Sequence, residues 1–171
     1  MTTSWFYPGS VSQYAEVEEH IPWADNDNFF NLRNPIGAFT PLTQPLLHIS
    51  IAPGRDFRMK TWYLTMSQFN ATNLPETISG IEVELNMNRG GRITDDTIQL
   101  MYDGNLIGAN RGNEYLDPDK LYGGTDDLWD IALTPQMIAN PTFGIGLRFQ
   151  SHPYWPHNEY PRISYIRFRV Y

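Results

Sequence analysis

The chain of 171 residues contains no cysteine, which excludes disulfide bonds and metal sites built on thiolates. It has no run of about 20 apolar residues, the length that a membrane-spanning helix requires. Basic residues are outnumbered, with 12 Lys and Arg against 19 Asp and Glu and a formal net charge of -7. A nucleic-acid partner calls for a basic stripe. We therefore expect neither a nucleic-acid partner nor a membrane partner.

Common catalytic motifs are also missing from the sequence. There is no Gly-x-Ser-x-Gly motif, no cysteine nucleophile and no glycine-rich phosphate-binding loop. Two adjacent carboxylate pairs occur, Asp95-Asp96 and Asp126-Asp127. Adjacent side chains on a strand point to opposite faces, so neither pair is predicted to act as an acid–base dyad. We expect no catalytic residue and no cofactor, and a glycan hydrolase is the least favoured of three functions.

The sequence is built from short segments separated by turn residues. Thirteen Gly and thirteen Pro are spread along the chain, a distribution that marks turns and not a linker. The length suits one domain, which we place at residues 1–171 with residues 1–10 as an N-terminal arm. The N-terminus lacks the basic and apolar regions of a secretory signal. The last predicted strand reaches residue 171, so we expect no further domain behind it.

Alternation of apolar and polar residues predicts the strands. It is clearest in Ile81–Met87, Phe143–Phe149 and Ile166–Val170. A hairpin is predicted where Thr97–Tyr102 meets Leu106-Ile107 across Asp103-Gly104-Asn105. Weaker strand patterns lie at Tyr14–Val17, Asn28–Leu32, His48–Ile51 and Trp62–Met66.

A single helical turn is predicted, with Thr134 as N-cap, Pro135 in its first turn and its end before Asn140-Pro141. Short strands, frequent turns and one helical turn are typical of an antiparallel all-β sandwich. The inward positions of the alternating segments give the predicted core: Val83, Leu85, Leu147 and Phe168. Trp129 is expected to close one end of it.

Several of these segments follow one another in a characteristic order. They are Gly80-Ile-Glu-Val-Glu84, Thr97-Ile-Gln-Leu100, Leu106-Ile-Gly108, Tyr122-Gly-Gly-Thr-Asp-Asp-Leu-Trp129, Leu133-Thr-Pro135, Phe143-Gly-Ile145 and a last strand that ends in an aromatic residue. This order resembles a jelly-roll domain that recurs in structural proteins of tailed bacteriophages. Most of the chain is covered. The loop at residues 151–161 is longer and more aromatic than the family pattern.

The resemblance implies a jelly-roll sandwich and a virion component without enzymatic activity. The expected role is a capsid decoration or cement protein, or a tail or collar accessory protein, assembled in the host cytoplasm. The implied partners are other virion proteins, and the chain is expected to form homo-oligomers. The alternative is a carbohydrate-binding module that attaches the particle to a surface glycan.

Two aromatic clusters are the predicted contact sites for a partner subunit or a glycan. Tyr154, Trp155 and Tyr160 lie in a loop stiffened by three prolines, which suits either a cap on the sandwich or a preorganised contact. The run Trp5-Phe6-Tyr7 is either a first strand or an arm laid on a neighbouring subunit.

No metal site is predicted. Asp126, Asp127 and Asp130 carry oxygen ligands that suit calcium, but their spacing lacks the regularity of a calcium loop. We expect them to cap backbone amides in a turn that Gly123 and Gly124 permit. His152 and His157 offer only two nitrogens, and the proline between them excludes helical ligand geometry.

Overall fold

The computed structural model describes residues 3–14, 60–88, 93–112, 119–151 and 162–171. These residues form two antiparallel sheets that share one core, as predicted for an all-β sandwich. The elements in chain order are β1 (Ser10–Tyr14), β2 (Tyr63–Ser67), β3 (Ile81–Asn88), β4 (Ile93–Tyr102), β5 (Asn105–Ile107), β6 (Asp119–Gly123), α1 (Pro135–Ala139), β7 (Gly144–Ser151) and β8 (Arg162–Val170). No helix among the described residues is long and apolar enough to cross a membrane.

Each sheet combines strands that are distant in sequence. The five-stranded sheet has the order β1-β2-β7-β4-β5, and the three-stranded sheet has the order β6-β3-β8. Among the strands of the described ranges, only β4 and β5 are both adjacent in the sheet and joined by a two-residue turn. Asp103 and Gly104 form that turn with φ of 50° and 78°, the left-handed pair typical of a type I′ hairpin. The predicted hairpin is confirmed, although Asn105 belongs to the strand and pairs with Tyr102.

The core lies between the sheets and confirms the predicted set. Val83, Leu85, Leu147, Phe168 and Trp129 are all completely buried. Alternation explains this, because residues at every second position of a strand face the opposing sheet. Aromatic rings fill the centre, where Phe168 meets Phe69 at 4.6 Å and Phe143 at 5.7 Å between ring centroids.

The helical turn also forms where it was predicted. Thr134 is the N-cap of α1, and its hydroxyl accepts a hydrogen bond from the Met137 amide at 3.2 Å. The helix ends at Ala139, with Asn140 as the C-cap.

Other boundaries differ from the sequence prediction. The first strand covers Ser10–Tyr14, so the segment predicted at Tyr14–Val17 begins where the observed strand ends. β6 was not predicted as a strand, since Asp, Lys and Gly dilute its pattern. The strands predicted at Asn28–Leu32 and His48–Ile51 lie outside the described residues.

The N-terminal segment lies along the free side of β8. Phe6 and Phe168 exchange two backbone hydrogen bonds, at 2.8 and 3.1 Å, in an antiparallel bridge. The Thr3 amide donates to the Val170 carbonyl at 3.0 Å. The Phe6 ring packs against Phe168 with centroids 5.5 Å apart. Residues 3–7 therefore lie at the edge of the three-stranded sheet of their own chain, joined to it through the Phe6–Phe168 bridge.

Candidate functional site

The outer face of the three-stranded sheet carries a ladder of charged and aromatic side chains. We call it the arginine–aromatic face, and it consists of Trp5, Tyr7, Glu82, Glu84, Tyr165, Arg167, Arg169 and Tyr171. These side chains alternate along β3, β8 and the N-terminal segment with residues that enter the core. Alternation therefore places them together on one surface.

Ion pairs across β3 and β8 organise this face. Glu82 stands opposite Arg169 and Glu84 opposite Arg167 in the strand register, and the closest N–O distances of the two pairs are 2.7 and 2.6 Å. Burial acts to lower the pKa of Arg167, but hydrogen bonds with Glu84 and Tyr7 raise it overall. The carboxylates are thus neutralised by guanidinium partners, and the face carries alternating charge without an excess of either sign.

Trp5 lies against both arginines. Its ring centroid is 4.3 Å from the Arg167 guanidinium carbon and 4.5 Å from that of Arg169. Guanidinium groups at this distance interact favourably with an indole ring. The Tyr7 hydroxyl also accepts a hydrogen bond from Arg167 at 2.8 Å. These contacts hold the Trp5 ring against the two arginines on the arginine–aromatic face.

The three predicted residues of the N-terminal run therefore divide between two surfaces. Trp5 and Tyr7 belong to the arginine–aromatic face, whereas Phe6 is partly buried and packs against the core. Arg167 and Arg169 were not predicted as their partners. The signal was present, because Glu82 and Glu84 alternate on one strand while Arg167 and Arg169 alternate on another. The pairing of those two strands was not evident from the sequence.

The second predicted cluster lies elsewhere in the chain. Tyr154, Trp155 and Tyr160 fall within residues 152–161, outside the described residues, as do His152 and His157. The role of this cluster therefore stays a prediction.

The Tyr122–Trp129 block, which carries much of the resemblance, is used to build the fold. Gly123 has a φ of +76°, and a Cβ there would lie 2.2 Å from the Ile81 carbonyl oxygen. The indole nitrogen of Trp129 donates to the same oxygen at 3.0 Å. Only glycine tolerates that approach, so the block fixes Trp129 beneath the three-stranded sheet.

Aspartates of the block act within the turn. Asp127 accepts the Trp129 amide at 2.7 Å and pairs with Arg111 at 2.6 Å. The contact with the Trp129 amide agrees with the amide-capping role expected of Asp127. Asp126 is exposed and accepts a hydrogen bond from Thr125 at 3.2 Å. Within the described ranges, no three His, Asp or Glu side chains come close enough together to hold a metal ion.

The adjacent pair Asp95-Asp96 points in two directions, as predicted. A β-bulge in β4 lies between Asp95 and Thr97. Asp95 contacts Lys120 and Tyr122 of the opposing sheet, each at 3.0 Å. Asp96 instead pairs with Lys60 at 2.7 Å and Arg148 at 2.6 Å. Separate cationic partners on separate faces do not form an acid–base dyad.

Comparison with known proteins adds no relative. No family model matches the chain, and neither the curated proteins nor the solved structures contain a match.

Proposed function

We propose that this chain is a non-enzymatic structural protein of a tailed-bacteriophage virion, built as a jelly roll and bound to other virion proteins through its aromatic surfaces. A decoration or cement protein of the capsid is the favoured role, ahead of a tail or collar accessory protein. Several copies act together on one particle.

The observation that carries this proposal is the nesting of the strand pairs. The N-terminal segment pairs with β8, β2 with β7, β3 with β6, and β4 with β5, all antiparallel. Nested pairs of this kind arise when one long hairpin is wrapped into two facing sheets. That wrapping describes the jelly roll found in viral capsid and lectin domains. The pairing supports the fold implied by the sequence resemblance.

The chemistry of the described surface supports a structural role over catalysis. Glu82, Glu84 and Asp96 are each held by an arginine or lysine partner. A glycan hydrolase requires two facing carboxylates that are available to substrate. Paired charges around stacked aromatic rings instead suit a protein contact, in which aromatic and arginine side chains supply much of the binding free energy.

The test is incorporation of variants into particles of the phage that encodes the chain. We expect Trp155→Ala to lower incorporation at least about tenfold, since an aromatic anchor typically contributes ~2 kcal/mol or more. Leu121→Ala is the control, because Leu121 is an exposed apolar residue outside both aromatic clusters. Equal melting temperatures establish that both variants are folded.

A glycan array with the isolated protein distinguishes the carbohydrate-binding alternative. The structural role predicts no specific glycan signal. Normal incorporation of Trp155→Ala together with a glycan signal that this substitution abolishes would replace the proposal with the alternative.

A further inference from the structure

An aspartate, a lysine and a tyrosine meet between the two sheets. Asp95 comes from β4, whereas Lys120 and Tyr122 come from β6. The Lys120 Nζ and the Tyr122 hydroxyl each lie 3.0 Å from the same oxygen, Asp95 Oδ2. The Asp95 side chain is 0% exposed and that of Lys120 is 14% exposed. The group therefore sits in a site from which water is largely excluded.

Among the described residues, the second carboxylate oxygen has no partner. Asp95 Oδ1 is buried and accepts no hydrogen bond from them, whereas Oδ2 receives two. A buried carboxylate oxygen without a donor carries a desolvation cost that folding does not recover. This asymmetry is unusual for a buried ion pair whose only role is stability, since such pairs normally satisfy their remaining lone pairs.

We propose that Lys120 and Asp95 condense into an isopeptide bond that joins β4 to β6 covalently. The proposal does not depend on the virion role, because it concerns only the chemistry of the two side chains.

The reaction balances without any further reagent. One proton passes from the Lys120 ammonium to the Asp95 carboxylate, and this gives a neutral amine and a neutral acid. The amine lone pair attacks Asp95 Cγ and forms the C–N bond. A second proton leaves the nitrogen for Oδ2, the Cγ–Oδ2 bond breaks, and Oδ2 departs as water. Oδ1 remains as the oxygen of a neutral amide, for which the missing donor is less costly than for a carboxylate.

The surroundings favour this step. The sheets hold the amine against the carboxyl group, and well-oriented intramolecular reactions reach effective concentrations of about 10⁵–10⁸ M. Burial raises the pKa of Tyr122, and the nearby Asp95 charge raises it further. The phenol therefore stays protonated and donates a hydrogen bond to Oδ2, the oxygen that leaves. Exclusion of water from Asp95 slows the reverse hydrolysis.

A second lysine–aspartate pair provides an internal control. Lys60 lies 2.7 Å from Asp96, but their side chains are 31% and 12% exposed. Asp96 also accepts a hydrogen bond from Arg148 at 2.6 Å, which stabilises the ionised carboxylate. The Lys60–Asp96 pair is therefore expected to remain an ion pair.

Intact mass measurement of the folded, purified protein tests the proposal. The expected mass is lower than that of the sequence by one water molecule. After digestion with trypsin, residues 93–111 are expected to remain joined to residues 112–148 in one branched peptide, because acylated Lys120 resists cleavage. An intact mass that equals the sequence mass, with peptides 112–120 and 121–148 released separately, would overturn the proposal.

Two variants locate the bond and the role of the tyrosine. Lys120→Arg keeps the positive charge and is expected to restore the full mass, whereas Lys60→Arg is expected to keep the loss of water. Tyr122→Phe removes the proton donor and is expected to slow formation at least tenfold, followed by mass during refolding. Loss of water in Lys120→Arg would assign the change to another site and contradict the proposal, and an unchanged rate in Tyr122→Phe would contradict the role of Tyr122.

Discussion

At the residue scale, we assign a large share of the stability to a few completely buried aromatic side chains. Phe168 is one of them, because its ring contacts Phe6, Phe69 and Phe143 and is completely buried. Trp129 is another, and it depends on a glycine at position 123 for its place beneath β3. Both belong to sequence segments that were conspicuous by alternation or by their glycine content.

Phe168→Ala is expected to destabilise the protein by about 3–5 kcal/mol, through lost burial and the cavity left among three other aromatic rings. Leu121→Ala is the matched control, since Leu121 is 55% exposed, and it should change stability by less than ~0.5 kcal/mol. Denaturant unfolding of the two variants measures the difference. Equal effects of the two substitutions would show that Phe168 and the phenylalanines around it are not the centre of the core.

Gly123→Ala is expected to cost about 2–5 kcal/mol, because backbone strain at positive φ adds to a clash with the Ile81 carbonyl oxygen. Gly104→Ala separates the two effects. Gly104 has nearly the same φ, +78°, but a Cβ there meets nothing within 4 Å. It should cost only the strain, roughly 1–2 kcal/mol. Thermal or denaturant unfolding compares them, and equal losses would contradict the close packing at Gly123.

At the scale of elements, the sequence predicted the strands that alternate cleanly and the one capped helical turn. It did not predict β6, where Lys120 and Tyr122 face inward from a polar segment. The pairing of the strands could not be predicted either, because most neighbouring strands are far apart in sequence. Alternation shows which residues of a strand share a face, but not which strand lies beside it. Of the eight residues of the arginine–aromatic face, only Trp5 and Tyr7 were named as candidates from the sequence.

Asp96, which lies in the β4 bulge, is predicted to affect the stability of the fold in acid. Burial alone would raise the pKa of Asp96, but hydrogen bonds from Lys60 and Arg148 lower it overall from its ordinary value of 3.8. A lowered pKa in the folded state means that Asp96 stabilises the fold fully above about pH 4. This contribution is lost as the pH falls through the folded-state pKa.

Asp96→Asn is therefore expected to lower stability at neutral pH and to flatten the loss of stability below about pH 4. Asp126→Asn is the control for the loss of one negative charge, since Asp126 is exposed. Free energies of unfolding of the original protein and the two variants, measured above and below about pH 4, test the prediction. Parallel profiles for the original protein and Asp96→Asn would contradict the assigned role.

At the scale of the whole molecule, the described residues combine nested antiparallel strand pairs with ion pairs on the outer face of the three-stranded sheet. The chain has no cysteine, so its two sheets are held by the aromatic core and by polar links such as Asp95 with Lys120. A structural role in a virion requires that such a unit be present in many copies at defined positions.

The most direct test of that role is the copy number and position of the chain in purified phage particles, measured by quantitative mass spectrometry and by electron microscopy of the intact particle. The account predicts a fixed stoichiometry of several copies per particle and density for a two-sheet sandwich at symmetry-related positions on the capsid, tail or collar. Absence of the chain from purified particles, while it is abundant in the infected cell, would contradict it.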